Sequence, residues 1–261
     1  MKDATPLASL LEFAIDLARE AGRITLEHYQ SDLEVERKAD GSPVTMADRA
    51  AEAWMRERIE GRFPEHGILG EEFGATRAGV ARRWVLDPID GTKSFAAGVP
   101  LYGVLVALEE GEEAVLGVLH FPALAGETVA AARGEGCWWS DRRCAVSSVS
   151  DPAAARVLTT DAAPWADGAR EAGWDRLRRA ARLARTWGDC YGHALVATGR
   201  AEAMVDPSAS PWDVAAVRPC VEEAGGTFSD WSGRATHLGG AAISTNAALA
   251  TRVRGTLGVG S

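Results

Sequence analysis

Two carboxylates that flank a proline constrain this chain more than any other feature. Asp87 and Asp90 lie three positions apart, and Pro88 between them bends the end of a predicted strand. Carboxylates at this spacing can share divalent cations. Gly91 can bring backbone N–H groups close to a phosphate, and the Thr92 hydroxyl can hold a water beside the metals. The segment therefore predicts metal-assisted phosphate hydrolysis.

The composition limits the class of protein. A chain of 261 residues with 46% hydrophobic and 25% charged residues can bury a substantial core, as one large domain or two closely joined halves. A formal net charge of −9 argues against a nucleic-acid partner. No apolar stretch is long enough to span a bilayer and the N-terminus lacks a signal core, so we expect a cytoplasmic protein. The scattered cysteines predict neither a zinc site nor disulfides.

Hydrophobic spacing predicts mixed α and β layers. Apolar residues recur at helical spacing over 7–29 and 45–62, with Thr45 as the possible N-cap of the second helix and Asp48 in its first turn. Short apolar runs broken by glycine predict strands over 83–86, 102–109, 114–121, 129–132 and 136–139. The second half predicts strands over 157–160, 203–205, 227–231 and 242–245, and helices over 174–183, 188–198, 213–224 and the C-terminus.

Further acids extend the candidate metal site. Glu71 and Glu72 end an apolar run, and for an isolated pair a solvated turn is the simpler interpretation. Asp213 precedes an apolar helical run, where an isolated Asp would be interpreted as an N-cap, a role compatible with metal binding. With the two acids around Pro88 and the Ile89 carbonyl, they offer the all-oxygen ligand set that Mg²⁺ prefers.

The chain resembles the inositol monophosphatase family of magnesium-dependent, lithium-sensitive phosphatases. The motifs that carry the resemblance are Gly70-Glu71-Glu72, Asp87-Pro88-Ile89-Asp90-Gly91-Thr92 and Pro211-Trp212-Asp213, in this order. The likeness covers nearly the whole chain. It implies an α/β fold, the layered α-β-α-β-α sandwich, and usually a homodimer. We expect a single domain over 1–261, with a metal-site half (about 1–145) and a substrate-pocket half (about 146–261).

The resemblance also implies roles for individual residues. The implied ligands of two or three Mg²⁺ ions are Glu71, Asp87, the Ile89 carbonyl, Asp90 and Asp213. Asp90, Gly91 and Thr92 are then the phosphate contacts. In-line attack by an activated water is implied, with Glu71 and Thr92 orienting the nucleophile and Asp48 holding the Thr92 hydroxyl. The chemistry is consistent, because a phosphate monoester carries about two negative charges that carboxylates alone would repel.

The ester is predicted from the segment Trp187–Gly192, which resembles the histidinol-phosphate phosphatase branch of the family. Without the resemblance, the segment would be interpreted as a helix start with Trp187 in the core. L-histidinol phosphate carries an ammonium group and an imidazole, which a nearby carboxylate would stabilise. Asp189 and Asp206 are the candidates, although Asp206 could equally belong to an Asp-Pro turn. Arg185 could pair with one of these acids or with the ester.

Three other functions stay open from the sequence. Inositol-1-monophosphatase is the runner-up, and a broad-specificity fructose-1,6-bisphosphatase is possible. A second phosphate would need extra basic residues, but Arg82, Arg83 and Lys93 are expected to face solvent. A catalytically idle binding protein on the same fold is the non-enzymatic alternative, which the intact acid set argues against. No role is predicted for His193, which stands where the histidinol-phosphate branch more often has tyrosine.

Overall fold

The computed structural model describes residues 5–31, 36–37, 43–44, 46–163 and 165–260. The predicted N-cap Thr45 lies outside these residues. The helices are α1 (Leu7–His28), α2 (Met46–Arg62), α3 (Thr92–Ala96), α4 (Gly168–Ala180), α5 (Asp189–Ala197), α6 (Pro211–Val214), α7 (Val217–Glu223) and α8 (Ala250–Leu257). No helix in the described ranges combines the length and the apolar composition needed to cross a bilayer.

The strands form two large sheets and one short pair. The strands are β1 (Glu36–Arg37), β2 (Pro43–Val44), β3 (Gly67–Gly70), β4 (Gly74–Thr76), β5 (Arg82–Asp90), β6 (Gly103–Glu110), β7 (Glu113–Phe121), β8 (Glu127–Ala132), β9 (Gly136–Trp139), β10 (Arg142–Arg143), β11 (Arg156–Thr159), β12 (Leu183–Arg185), β13 (Ala203–Asp206), β14 (Thr227–Ser229) and β15 (Ala242–Thr245). The first large sheet has the order β10-β9-β8-β7-β6-β5-β3-β4, and the second has the order β12-β11-β13-β15-β14.

Helices α1 and α2 cover the outer face of the first sheet. Leu10, Ala14, Leu17 and Ala21 repeat at helical spacing and are buried, and they share a core with Trp84 of β5. The first sheet is antiparallel apart from the parallel pair β3 and β5. Because its central strands are covered on both faces, β5 is buried from Trp84 to Asp90.

The inner face of the first sheet packs on α6 and α7, which form one core with α5. Gly117 of β7 lies where the chain between α6 and α7 passes closest to the sheet. A Cβ on Gly117 would lie 2.0 Å from the Ala216 carbonyl oxygen, so only glycine allows this approach. The approach seats α6 against the sheet, and α6 carries Asp213.

The second sheet completes the layers. Strands β12, β11 and β13 are parallel, and β15 and β14 are antiparallel to their neighbours. The inner face packs on α5, and the outer face is covered by α4 and α8 through a core that includes Val157, Trp174 and Val253. The order helices, sheet, helices, sheet, helices confirms the predicted α-β-α-β-α sandwich.

Two local predictions were wrong. The helix predicted over 174–183 begins at Gly168, where the Asp167 side chain accepts hydrogen bonds from two backbone amides, and it ends at Ala180. Leu183, predicted as the last residue of that helix, instead begins strand β12, which pairs in parallel with β11 at the edge of the second sheet. The helix predicted over 213–224 is two short helices that begin at Pro211. The alternative interpretation of Trp187 as a core residue is also wrong, since 40% of its surface is exposed.

The close approach at Gly117 gives a first test. Gly117→Ala should lower the free energy of unfolding by about 1–3 kcal/mol, because a backbone oxygen cannot move aside as a flexible side chain would. Gly61→Ala is the matched control, since nothing lies within 4 Å of a Cβ built at this helical position. It should stabilise the protein by up to about 1 kcal/mol. Urea unfolding measures both, and equal effects would contradict the close approach.

Candidate active site

A β-bulge brings the two carboxylates around Pro88 to one side of the sheet. In a regular strand, residues three positions apart point to opposite faces. Strand β5 pairs Asp87 with Leu105 but Asp90 with Gly103, so β5 contains one residue more than β6 over this stretch. Pro88 has no N–H to offer the ladder and is tolerated at such an irregularity. The extra residue turns Asp87 and Asp90 towards the same site.

Asp213 joins this pair from the layer of helices. One oxygen from each of Asp87, Asp90 and Asp213 lies within 4.8 Å of the others. Asp213 is not the N-cap considered from the sequence: the helix begins at Pro211, Ser210 is its N-cap, and Asp213 is the third helical residue. In that position Asp213 Oδ2 accepts a hydrogen bond of 2.7 Å from the Ser210 amide.

Each of the three carboxylates is oriented by one backbone amide. Asp87 Oδ1 accepts from the Ile89 amide at 3.0 Å, and Asp90 Oδ2 accepts from the Cys190 amide at 2.5 Å. Asp213 Oδ2 accepts from the Ser210 amide at 2.7 Å. These bonds come from β5, α5 and the chain before α6. A neutral amide fixes the direction of a carboxylate without removing its charge. The cluster is therefore ordered, and its carboxyls keep the capacity to carry negative charge.

Glu71 reaches the cluster from the turn after β3. Its amide donates to the Leu86 carbonyl at 3.2 Å, and its side chain is close enough to Asp87 to affect the protonation of that carboxyl. A second acid, Glu52 of α2, holds this turn. The fully buried Glu52 carboxylate accepts hydrogen bonds from the amide of Glu72 at 2.7 Å and that of Phe73 at 3.2 Å.

The sequence interpretation missed the role of Glu52 in holding the turn. Glu52 is paired with Arg56 at 2.7 Å, and a Cβ on Gly70 would lie 2.0 Å from its Oε1, so the turn closes tightly on the carboxylate. Its position was a usable signal: Glu52 follows Asp48 by four residues, which places both acids on one face of α2. Both side chains are buried, at 0% and 1% exposure.

Gly91 and Thr92 lie directly after β5, as predicted. Gly91 has φ of 86°, a left-handed conformation that favours glycine, and it precedes α3. The Thr92 hydroxyl donates to the Ile89 carbonyl at 3.1 Å. Asp48 is buried at the start of α2. Its predicted contact with the Thr92 hydroxyl stays a prediction, as does cation binding by the Ile89 carbonyl.

Burial and mutual repulsion act on all the carboxylates of the cluster. Burial, followed by the charges of neighbouring acids, raises the pKa of Asp87 and that of Asp90 well above the usual range. Burial also raises the pKa of Asp213 to about 7, against the lowering effect of the Ser210 hydrogen bond. The charges that act most strongly on these three carboxyls come from neighbouring acids. An all-oxygen, anionic cluster of this kind fits a hard divalent cation.

The second half of the chain supplies the opposite wall. Asp189 begins α5, and its Oδ2 lies 3.1 Å from where a Cβ on Gly91 would be. Burial and the nearby Asp206 charge raise the pKa of Asp189 to about 7, partly offset by Lys93. Asp206, at the end of β13, is 7% exposed. The structure thus brings Asp189 beside the predicted phosphate cradle, with Asp206 behind it.

Arg185 lies further out than the other predicted pocket residues. The side chain is exposed, and its Nη1 donates to the Ala184 carbonyl at 2.8 Å. Arg185 lines a cleft of about 390 Å³ together with Asp161. Among the residues that the structure describes, it forms no ion pair with Asp189 or Asp206. The alternative in which Arg185 contacts the ester stays a prediction.

Comparison with known proteins identifies the family. The inositol monophosphatase family model matches residues 7–257. The chain belongs to the inositol monophosphatase family. It is 46% identical to the histidinol-phosphatase of Chlorobaculum parvum, over 96% of this chain and 97% of that protein. It is 36% identical to the histidinol-phosphatase of Mycobacterium tuberculosis, over 96% and 98%.

The fold agrees with a solved member of the family. An inositol monophosphatase from Zymomonas mobilis superposes with a TM-score of 0.87 at 32% identity, covering 97% of this chain and 99% of that one. The family is metal-dependent, and the carboxylate cluster of this chain provides a suitable ligand set. The resemblance inferred from the three acidic motifs is confirmed.

Removal of one charge from the cluster should change how the stability of the protein depends on pH. The pKa of Asp213 is raised to about 7 from an ordinary value of about 4, so the folded state binds its proton more tightly than the unfolded state does. In metal-free buffer, the free energy of unfolding of the wild type should therefore decrease as the pH rises from about 4 to about 7, compared with that of Asp213→Asn. Calorimetric melting curves with EDTA measure this difference. Added Mg²⁺ should raise the melting temperature of the wild type more than that of Asp213→Asn, and parallel curves would contradict the prediction.

The turn that carries Glu71 gives a second test of the site. Glu52→Gln keeps the size of the side chain but removes the charge that holds the turn and Arg56. Substitution of a residue that supports a metal ligand typically weakens metal affinity by about 10–100-fold. Mg²⁺ binding by Glu52→Gln, measured by titration calorimetry, should therefore be weaker by that factor. The control is Glu57→Gln, on the exposed face of the same helix. Equal affinity in the two variants would rule out a supporting role for Glu52.

Proposed function

We propose that the protein is a Mg²⁺-dependent phosphate monoester hydrolase whose substrate is L-histidinol phosphate. The observation that carries the proposal is the position of the Asp189 carboxylate, which faces Gly91 across the site. An acid beside the phosphate cradle favours an ester whose alcohol carries a positive charge. The two histidinol-phosphatases that this chain matches at 46% and 36% identity support the same substrate.

The proposed metal ligands are the acids gathered at the end of β5 and around it. They are Glu71, Asp87, the Ile89 carbonyl, Asp90 and Asp213. Two or three Mg²⁺ ions bound there would offset the charge of the ester, lower the pKa of a water and stabilise the leaving alkoxide. Three of the acids already have one oxygen held by a backbone amide, so little reorganisation is needed for binding.

The remaining steps are assigned to side chains and amides of this chain. The backbone amides at Gly91 and Thr92 bind phosphate oxygens, and the left-handed Gly91 lets the chain approach them closely. Glu71 and the Thr92 hydroxyl orient the attacking water in line with the leaving oxygen, and Glu71 accepts its proton. Asp48, buried at the start of α2, accepts from the Thr92 hydroxyl when that hydroxyl turns towards the water.

The alcohol half of the substrate is bound by the wall that α5 provides. Asp189 has a raised pKa of about 7 because its surroundings are buried and anionic. A substrate ammonium beside it would favour the ionised carboxylate and would be stabilised by it in turn. Neighbouring Asp206 adds negative charge to the same wall. The imidazole of histidinol, when protonated, would interact with the same charges.

A second candidate substrate is inositol-1-phosphate. The Zymomonas mobilis protein with the same fold is described as an inositol monophosphatase. Fructose-1,6-bisphosphate has less support, because the basic residues near the motif are paired with acids or exposed to solvent. Arg82 pairs with Glu110 at 2.9 Å and Arg83 pairs with Glu109 at 2.7 Å, while the Lys93 side chain is 81% exposed. An idle binding protein is the alternative from another class.

We also propose a homodimer that acts in the cytoplasm on a small-molecule ester. A net charge of −9 makes a nucleic-acid partner unfavourable, since a polyanionic backbone would be repelled. The dimer is inferred from the family alone, and its test is the mass of the protein in solution by light scattering. A monomeric mass at micromolar concentrations would remove this part of the proposal.

The substrate is tested by phosphate release from three esters. L-histidinol phosphate, inositol-1-phosphate and fructose-1,6-bisphosphate are compared with and without Mg²⁺, and the first should have the highest kcat/KM. Asp87→Asn should remain folded and lose most activity on every ester. Asp189→Asn should lower kcat/KM for histidinol phosphate by about tenfold or more, and that for inositol-1-phosphate much less.

Each outcome of this comparison has a defined meaning. An equal loss on both esters in Asp189→Asn would refute cation recognition by Asp189. A preference for inositol-1-phosphate would replace the proposed substrate with the second candidate. Absence of release from all three esters with Mg²⁺ present would favour the idle binding protein.

A further inference from the structure

A buried chain of hydrogen bonds runs from β15 to the first residue of α5. Ser244 Oγ lies 2.7 Å from His193 Nδ1, and His193 Nε2 lies 2.9 Å from Asp206 Oδ2. Asp206 Oδ1 accepts from the Thr160 hydroxyl at 2.5 Å, and that hydroxyl accepts from the Asp189 amide at 2.9 Å. We call the five residues the α5 relay.

The donors and acceptors of the α5 relay can be assigned from its chemistry. An ionised carboxylate only accepts, so Asp206 receives an N–H from His193 and an O–H from Thr160. In neutral His193, the nitrogen facing Ser244 is then the acceptor, and the serine hydroxyl donates to it. Every polar atom named in the relay thus has a partner. Ser244 and His193 are 0% and 1% exposed, so these bonds are shielded from competing water.

The strands of the second sheet and helix α5 determine where the relay residues lie. Strands β11 and β13 are parallel, with Thr159 opposite Val205, so Thr160, directly after β11, comes next to Asp206, the last residue of β13. Ser244 lies on β15, the neighbour of β13 on its other side. His193 is in the second turn of α5, which packs on this sheet. The relay therefore ties the start of α5 to three strands at once.

The residue at the end of the relay needs such support. Asp189 has φ of 53°, a left-handed conformation that non-glycine residues rarely adopt and that costs about 1–3 kcal/mol. Its own amide is held by Thr160, and the next amide, that of Cys190, donates to Asp90. Gly188 permits the contact, because a Cβ there would lie 2.2 Å from the Cα of Thr160. The surroundings thus hold Asp189 in a strained conformation that aims its carboxylate at Gly91.

Both oxygens of Asp206 are used inside the protein. One accepts from Thr160 and the other from His193. Asp206 can therefore contribute charge to the pocket but has to give up an internal bond to contact a ligand directly. Asp189 differs, because the structure gives its carboxylate no hydrogen-bond donor among the described residues. The direct contact to a cationic ligand falls to Asp189.

We propose that His193 is a positioning residue for the leaving-group pocket: it holds Asp206, which through Thr160 sets the placement of the Asp189 carboxylate. This inference rests on the proposed function, in which Asp189 binds the ammonium of the substrate. His193 itself touches neither the ester nor the metal ligands. Loss of the relay should weaken binding of a cationic alcohol and leave the chemistry at the phosphate largely intact.

Three substitutions at His193 separate its two hydrogen bonds. The amide of His193→Gln reaches the position of Nε2 and keeps the bond to Asp206. The shorter amide of His193→Asn reaches the position of Nδ1 and keeps only the bond to Ser244. His193→Phe keeps the ring and loses both. Ser244→Ala removes the outer end of the relay alone, and it serves as a milder variant should His193→Phe fail to fold.

The matched control is His237→Phe. His237 is also fully buried, and its Nε2 lies 2.5 Å from the buried carboxylate of Glu109. Glu109 lies six residues along β6 from Gly103, the strand partner of Asp90, or about 20 Å from the site. His237→Phe therefore removes a similar buried pair without touching the pocket. It should lower the melting temperature and leave KM unchanged.

Steady-state kinetics on two esters test the proposal. For L-histidinol phosphate, KM should rise about tenfold in His193→Asn and His193→Phe, stay near wild type in His193→Gln, and change more than kcat. For p-nitrophenyl phosphate, whose leaving group has no ammonium, KM should stay within about twofold of wild type. Equal changes on both esters, or a His193→Gln variant as impaired as His193→Phe, would overturn the proposal.

Amide hydrogen exchange separates failure of the relay from failure of the proposed function. The peptide that contains Asp189 and Cys190 should exchange faster in His193→Asn and His193→Phe than in wild type, His193→Gln or His237→Phe. This result is independent of the substrate. If exchange follows the prediction but the wild type has no preference for histidinol phosphate, the proposed function fails and the relay stands. If exchange is unchanged in every variant, the relay does not position Asp189.

Discussion

Repulsion between buried carboxylates is the constraint on which the site depends. Asp87, Asp90 and Asp213 present oxygens within 4.8 Å of one another, and neighbouring acids raise their pKa values further. Such a cluster is unfavourable unless the framework holds it and a cation offsets its charge. The framework is the buried strand β5 on one side and α6 on the other. Its rigidity keeps charges close that would otherwise separate, and this stored repulsion is what favours a divalent cation.

The active site joins two layers that belong to different parts of the chain. The Cys190 amide at the start of α5 donates to Asp90 on β5, and Asp189 beside it faces Gly91. The wall that carries the proposed phosphate cradle and most of the proposed metal ligands is therefore in contact with the wall proposed to recognise the alcohol. Two adjacent residues at the start of α5 therefore contact both walls. The α5 relay matters for this reason, because it fixes that helix against the second sheet.

Most of the fold was predictable because it depends on local pattern. The helical spacing of α1 and the apolar runs of β5 to β9 specify their elements whatever surrounds them. The failures were at the ends of elements: strand β12 was not predicted and its first residue, Leu183, was assigned to a helix, since a three-residue strand has no pattern of its own. The alternative that placed Trp187 in the core failed because burial of one aromatic depends on which neighbours the fold supplies. The helix start at Pro211 was missed because Asp213 itself looked like a cap.

The sequence by itself determined the ligand chemistry: acids around Pro88, a Gly-Thr pair and a later Asp, in an order characteristic of one family. These are contiguous motifs, and their residue types fix which atoms can bind a cation or a phosphate. Only the tertiary structure decided how the pocket is supported. Three features of this support join residues far apart in the chain. They are Glu52 beneath the turn that carries Glu71, the bulge that turns Asp87 and Asp90 to one side, and the hydrogen-bonded path from Ser244 through His193 to Asp189. Such contacts depend on strand register and helix packing, which no local pattern encodes.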